Sequence, residues 1–124
     1  MAAVVGFDHF AEELQAPDKP LISPELFAEA LNLRQQELAQ LAGVHRATII
    51  AAPGNARLRL FMRNALRVLS AAMEVNPNRA RAIYWYRNAP IPEFEHRTAE
   101  QLVAEGKSDA IVSYLISVAA GSTG

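Results

Sequence analysis

The chain contains no cysteine at all. That excludes disulfides, a thiol nucleophile and any cysteine-based zinc site. Its three histidines, His9, His45 and His96, lie far apart, and none is spaced from another histidine or a carboxylate as metal ligands are. No glycine-rich phosphate loop occurs, and Ser23, Ser70, Ser108, Ser113 and Ser117 all read as helix caps or helix residues, not as nucleophiles. Glu93 and Glu95 stand two apart, a spacing with no acid–base logic of its own. An enzyme is not expected, and neither is a cofactor or metal. No apolar run approaches the ~18 residues of a membrane span, so no membrane partner is expected. Residues 1–10 lack both a basic start and a long apolar stretch, so no signal peptide is expected and the cytoplasm is the expected location.

Hydrophobic residues make up 51% of the 124, enough to bury the core of one compact domain or of two small helical subdomains. The net charge of −1 hides an uneven distribution. Residues 1–30 carry a balance of −5, residues 31–67 a balance of +5, and the remainder −1. The basic middle third suits an anionic partner; the other reading is that the acidic N-terminal segment packs against it.

Residues 1–22 read as an N-terminal arm. Phe7, Phe10 and Leu14 recur at helical spacing, which predicts a short amphipathic helix over 8–16, ended by Pro17 and Pro20. From Ser23 the signals sharpen. Ser23-Pro24 is an N-cap followed by proline at the first helical position, and Leu26, Phe27, Ala30 and Leu31 supply an apolar face. Asn32-Leu33 breaks that pattern, and a second helix begins near Arg34. The small Ala39 suits a close helix crossing, Gly43 suits a turn of positive φ, and Val44 and Thr48-Ile49 follow. This order looks like an Xre-type helix-turn-helix over 23–75. Gln36, His45, Arg46, Thr48, Arg57, Arg59 and Arg63 are the candidate DNA contacts in that region. The run Ile49–Ala52 is apolar, so part of it must be buried or in contact, and Pro53-Gly54 ends the helix. The longest helix is predicted over 56–75, with a core stripe of Leu58, Phe61, Met62, Ala65, Leu69, Ala72 and Met73. Arg59, Arg63 and Arg67 share one of its faces.

In residues 76–124, Asn76-Pro77 is expected to cap and open a helix carrying Ala80, Ile83, Tyr84 and Arg87 on related faces. Trp85, the only tryptophan, is expected in the core. Asn88-Ala89-Pro90-Ile91-Pro92 cannot be helical, because residues before proline are pushed to extended geometry, so the chain turns there. Thr98 and Gln101 have capping-box spacing, and Gly106 can stop that short helix in the left-handed conformation. Ser108 is expected to cap a last helix over 109–120, with Ile111, Leu115 and Val118 along one face. That helix is apolar over most of its girth, so it is either sandwiched in the core or part of an interface. Together with helix 56–75 it offers more apolar surface than one small domain covers, and at least a dimer is expected.

The fold class expected from these signals is all-α. The stretch from Trp85 through Asn88-Ala89-Pro90, Glu95-His96-Arg97 and Leu102-Val103 to Glu105-Gly106 resembles the C-terminal domain of Xre-like antitoxins of the MbcA/ParS kind. Those proteins neutralise RES-domain toxins, which destroy NAD. The chain departs from the usual motif at Ala99, where many members have proline, and the Thr98 capping box can compensate. The resemblance covers roughly Ser23 to the C-terminus. It implies a helix-turn-helix half followed by a toxin-binding half, and an antitoxin that covers the active site of a RES-domain toxin while contributing to repression of its own operon. The implied partners are that toxin and promoter DNA, bound alone or as the toxin complex, with a homodimer inside a hetero-oligomer. The implied toxin-binding residues are Trp85, Glu93, Glu95, His96, Arg97, Leu102, Val103, Lys107, Ala119, Ala120 and Gly121. The alternative is a helix-turn-helix transcriptional regulator with no toxin partner, whose C-terminal helices only dimerise.

Overall fold

A computed structural model describes residues 10–14 and 22–121. Among them the fold is all-helical and forms two compact units, residues 10–63 and residues 64–121, divided within the longest helix. Most of the expected arm, including Asp8, His9 and residues 15–21, lies outside the described residues, as do residues 122–124.

In the first unit, residues 10–13 form a helical turn whose Phe10, with Leu14 after it, is buried. Helix α1 (Pro24–Ala30) starts where the sequence places it, the Ser23 hydroxyl accepting from the Leu26 amide at 3.3 Å. Such a cap contributes about 1 kcal/mol. Asn32, at a φ of 57°, reverses the chain after α1. Helix α2 (Gln35–Ala42) then opens with the Glu37 carboxylate accepting from the Arg34 amide at 3.0 Å. Gly43, at a φ of 73°, ends it, and the amides of Gly43 and Val44 donate back to Gln40 and Ala39. That pair of bonds is a Schellman close, which needs a left-handed residue and is cheap only for glycine. Helix α3 (Thr48–Ala51) has only four residues, and His45 Nδ1 accepts from the Ala47 amide just ahead of it. Helices α1, α2 and α3 pack on one another. Ile49 is the member of the apolar run that goes inside, beside Phe27, Leu38 and Leu58 in the buried set.

Helix α4 (Ala56–Val75) has the predicted bounds, and every residue of its predicted stripe is buried. Asn55 starts it, the side-chain oxygen accepting from the amides of Arg57 and Leu58.

In the second unit, α5 (Arg79–Asn88) begins later than the Asn76-Pro77 pair implied. The Asn76 amide still donates to the Ala72 carbonyl at 3.0 Å, so Asn76 completes α4. Asn78 takes the extended N-cap geometry and accepts from the Arg81 amide. Trp85, expected in the core, is not the residue this helix turns inward. Ala82 and Tyr86 are buried, whereas Ala80 and Tyr84 are exposed and Trp85 is only half-buried. After the proline turn, a 3-10 turn (Pro92–Phe94) sits inside a loop closed by an isolated bridge between Ile91 and Arg97. Ile91 plugs into the core, and Glu95 and His96 take left-handed φ values of 59° and 63°. Helix α6 (Ala99–Ala104) carries the predicted capping box, Thr98 and Gln101 each accepting the other's amide, with Gly106 at a φ of 81° after it. Helix α7 (Ser108–Gly121) takes Ser108 in as its first residue. It packs on α6, and α6 packs on α5.

The Tyr86 hydroxyl is buried without a hydrogen-bond partner. Burial pushes its pKa well above the ordinary tyrosine value and the Glu100 carboxylate adds to this, while Arg87 opposes it. A raised folded pKa keeps its stabilisation intact below the unfolded value of about 10 and loses it as pH rises from there towards the folded value. Stability is therefore expected to fall above about pH 10. Tyr86→Phe should flatten that slope and, by removing an unpartnered buried hydroxyl, stabilise the chain by about 1 kcal/mol at neutral pH. Urea midpoints measured across the alkaline range check both effects.

Candidate functional site

Two surfaces carry chemistry, one on each unit.

The first is basic. The glycine turn and α3 leave Gln36, His45 and Arg46 exposed and Thr48 half-exposed. Arg57 is exposed too, with its guanidinium reaching the Gly43 carbonyl at 3.4 Å. Arg59 and Arg63 lie one turn apart on α4 and line a shallow hollow of about 360 Å³ together with Gly54, Ala56 and Leu60. The side chains of Arg46, Arg59 and Arg63 make no ion pair or hydrogen bond among the described residues. The third arginine of the row is different: Arg67 pairs with Asp109 in the second unit. Two apolar side chains interrupt the basic surface, Ile50 at 66% exposure and Leu60 at 55%. The four-residue α3 therefore presents little polar edge to a base, and two of the three unpaired arginines sit on α4.

The second surface is a groove of about 260 Å³ in the second unit. Its sides come from the end of α4 (Ala72, Val75 and Asn76), from α5 (Arg81, Ala82 and Trp85) and from α7 (Tyr114, Leu115 and Val118). The one-turn spacings Arg81–Trp85 and Tyr114–Val118 put each pair on one helix face. Phe94 props the Tyr114 ring edge-on, with centroids 5.8 Å apart. Burial, and then the Glu93 carboxylate, raises the Tyr114 pKa above the ordinary tyrosine value.

The residues expected to touch a toxin fall in several places. Trp85 lines the groove. Glu93, Glu95 and His96 are exposed on the bridged loop. Arg97 is half-buried and clasped by Glu95 at 3.5 Å and by Glu105, which also lies 3.7 Å from Lys107. These charges satisfy one another within the unit. Leu102 and Val103, expected as the packing side towards a partner, point into the unit's own core at 1% and 5% exposure. An apolar pair on a six-residue helix has one inward face to fill, and α5 and α7 use it. At the far end of α7, Ala119 is half-exposed and Ala120 and Gly121 are exposed.

Sequence reasoning missed Arg81, Tyr114 and Val118 as members of one surface. The available signal was Tyr114 and Val118 at i and i+4 on a helix too apolar for a wholly solvated end. It also missed the Arg87–Glu100 pair, Nε to carboxylate at 3.0 Å, with the Glu100 side chain 9% exposed. That pair ties α5 to α6 behind the groove.

Among the described residues no group of three His, Asp or Glu side chains is placed to hold a metal, and no helix is long and apolar enough to cross a membrane. No family model matches this chain, and neither a curated protein nor a solved structure matches it.

Proposed function

We propose that this protein is an antitoxin: its second unit binds and neutralises a RES-domain NAD-degrading toxin by covering the toxin's active site, and its first unit contributes to repression of the shared operon. The observation that carries the binding part is the apolar groove of about 260 Å³ lined by Trp85 and Tyr114. The resemblance of residues 85–106 to Xre-like antitoxins supplies the identity of the partner. The helix-turn-helix architecture is the reading of α2, the Gly43 turn and α3, and the unpaired Arg46, Arg59 and Arg63 support a phosphate-directed contact.

The test is co-expression with a RES-domain NAD-degrading toxin, scored by cell survival and NAD level. The full chain is expected to protect. A chain ending at Val75, or one with residues 110–124 deleted, is expected to lose protection. Protection by the chain ending at Val75 would overturn the assignment.

For DNA, a salt titration with promoter DNA is expected to show a shift whose log–log slope steepens by about 0.9 for each phosphate neutralised. Arg59→Ala and Arg63→Ala should each reduce that slope by about 1. No shift at low salt, with or without the toxin, removes the DNA part. A shift with no effect on NAD favours the alternative, a transcriptional regulator without a toxin.

A further inference from the structure

We infer that the groove between α4, α5 and α7 is the seat of an amphipathic helix from a partner protein, its apolar ridge lying between Trp85 and Tyr114 and one carboxylate paired with Arg81. The inference rests on the proposed function only for which protein supplies the helix.

Size and lining select a helix ridge. A groove of about 260 Å³ accepts roughly two leucine-sized side chains, the i and i+4 anchors of a helix laid in a groove. Trp85 and Tyr114 present large rigid rings at little entropic cost, the kind of residue on which binding energy concentrates. Phe94 holds the Tyr114 ring in place, so the wall is formed before anything binds.

Charge selects which helix. In this unit Arg67, Arg87, Arg97 and Lys107 each face a carboxylate of the same unit: Asp109, Glu100, Glu95 with Glu105, and Glu105 respectively. Arg81 differs. It is exposed and lines the groove, only its backbone amide is engaged, and its guanidinium has no partner among the described residues. A lone cation at the edge of an apolar groove attracts an acidic residue beside the incoming ridge and repels a basic one.

Trp85 is the only tryptophan, so its emission reports groove occupancy directly. The probes are two short synthetic amphipathic helical peptides with leucines at i and i+4, one carrying glutamate and the other lysine beside the leucine ridge. With the full-length chain, the glutamate peptide is expected to shift Trp85 emission to the blue and to bind about two- to five-fold tighter than the lysine peptide, the scale of one exposed ion pair. Arg81→Glu should reverse that ranking, and Val118→Glu, at a half-open edge position, should weaken both peptides, with circular dichroism unchanged in each variant. No blue shift with either peptide, equal affinities, or a ranking that survives Arg81→Glu would overturn the inference. So would a blue shift that grows with protein concentration in the absence of peptide, which assigns the groove to a second copy. If the glutamate peptide binds as expected but RES-domain toxins do not, the antitoxin reading fails and the groove assignment stands. If the toxin is neutralised by Arg81→Glu and Val118→Glu as well as by the unaltered chain, the reverse holds.

Discussion

Glu100→Ala is expected to destabilise the second unit by about 3 kcal/mol, because it removes the carboxylate that the Arg87 guanidinium bonds in a largely buried place. The two side chains are 21% and 9% exposed and bond at 3.0 Å across the proline turn that separates α5 from α6. Taking a charge out of water is costly, and the partner's charge and hydrogen bond offset that cost only while both are present. A loss of this size is a large fraction of the ~5–15 kcal/mol that holds a typical domain folded. Urea unfolding measures the total, and hydrogen exchange should localise the weakening to residues 64–121. Replacing both residues with apolar ones of similar volume, Arg87→Met with Glu100→Leu, should recover much of the loss, since the pair as a whole contributes little beyond what packing supplies. If Glu100→Ala costs under about 1 kcal/mol, the pair behaves as a surface salt bridge. Because α5 carries Arg81 and Trp85, this variant should also weaken whatever the groove binds, whereas the apolar double variant should not.

Phe27→Ala is the corresponding substitution for the first unit, and it is expected to cost about 3–5 kcal/mol. Phe27 is fully buried on α1 and meets the Phe61 ring edge-on, with centroids 6.3 Å apart and planes at 76°. Alanine removes the apolar area, the aromatic contact and the shape that α3 rests on, leaving a cavity that the three short helices can only partly close. Exchange protection should fall across residues 22–63. The Gly43 turn and the arginines beside it should then lose their fixed positions, so any DNA shift should weaken along with stability. A milder Phe27→Leu, which keeps most of the volume, should retain both. A Phe27→Ala chain that keeps wild-type exchange protection would mean that this unit's stability lies elsewhere.

The division between sequence and tertiary structure is visible in particular residues. Ser23 before Pro24, Gly43, the Thr98–Gln101 box, Gly106 and both ends of α4 could be read from the chain alone. Each is a local device, in which a side chain or a permitted φ satisfies backbone groups no more than a few residues away. The stripe of α4 was equally legible, because a 20-residue helix repeats its inward face often enough to define it. Short elements did not behave that way. In Tyr84-Trp85-Tyr86, adjacent aromatics differ by about 100° around the helix, and only the position of α6 and α7 decided that Tyr86 goes inside and Trp85 faces the groove. The same neighbours turned Leu102 and Val103 inward. They also brought Glu100 to Arg87 and Asp109 to Arg67, the latter across a separation of 42 residues. That pairing split an arginine row which the sequence presents as uniform. Asn76 and Asn78 compete for the same cap, and the outcome depended on how far α4 ran before it released its last amide. Helix ends are thus decided within a few residues by the backbone's demand for partners, while the groove exists only because α7, distant in sequence, returns beside α4 and α5.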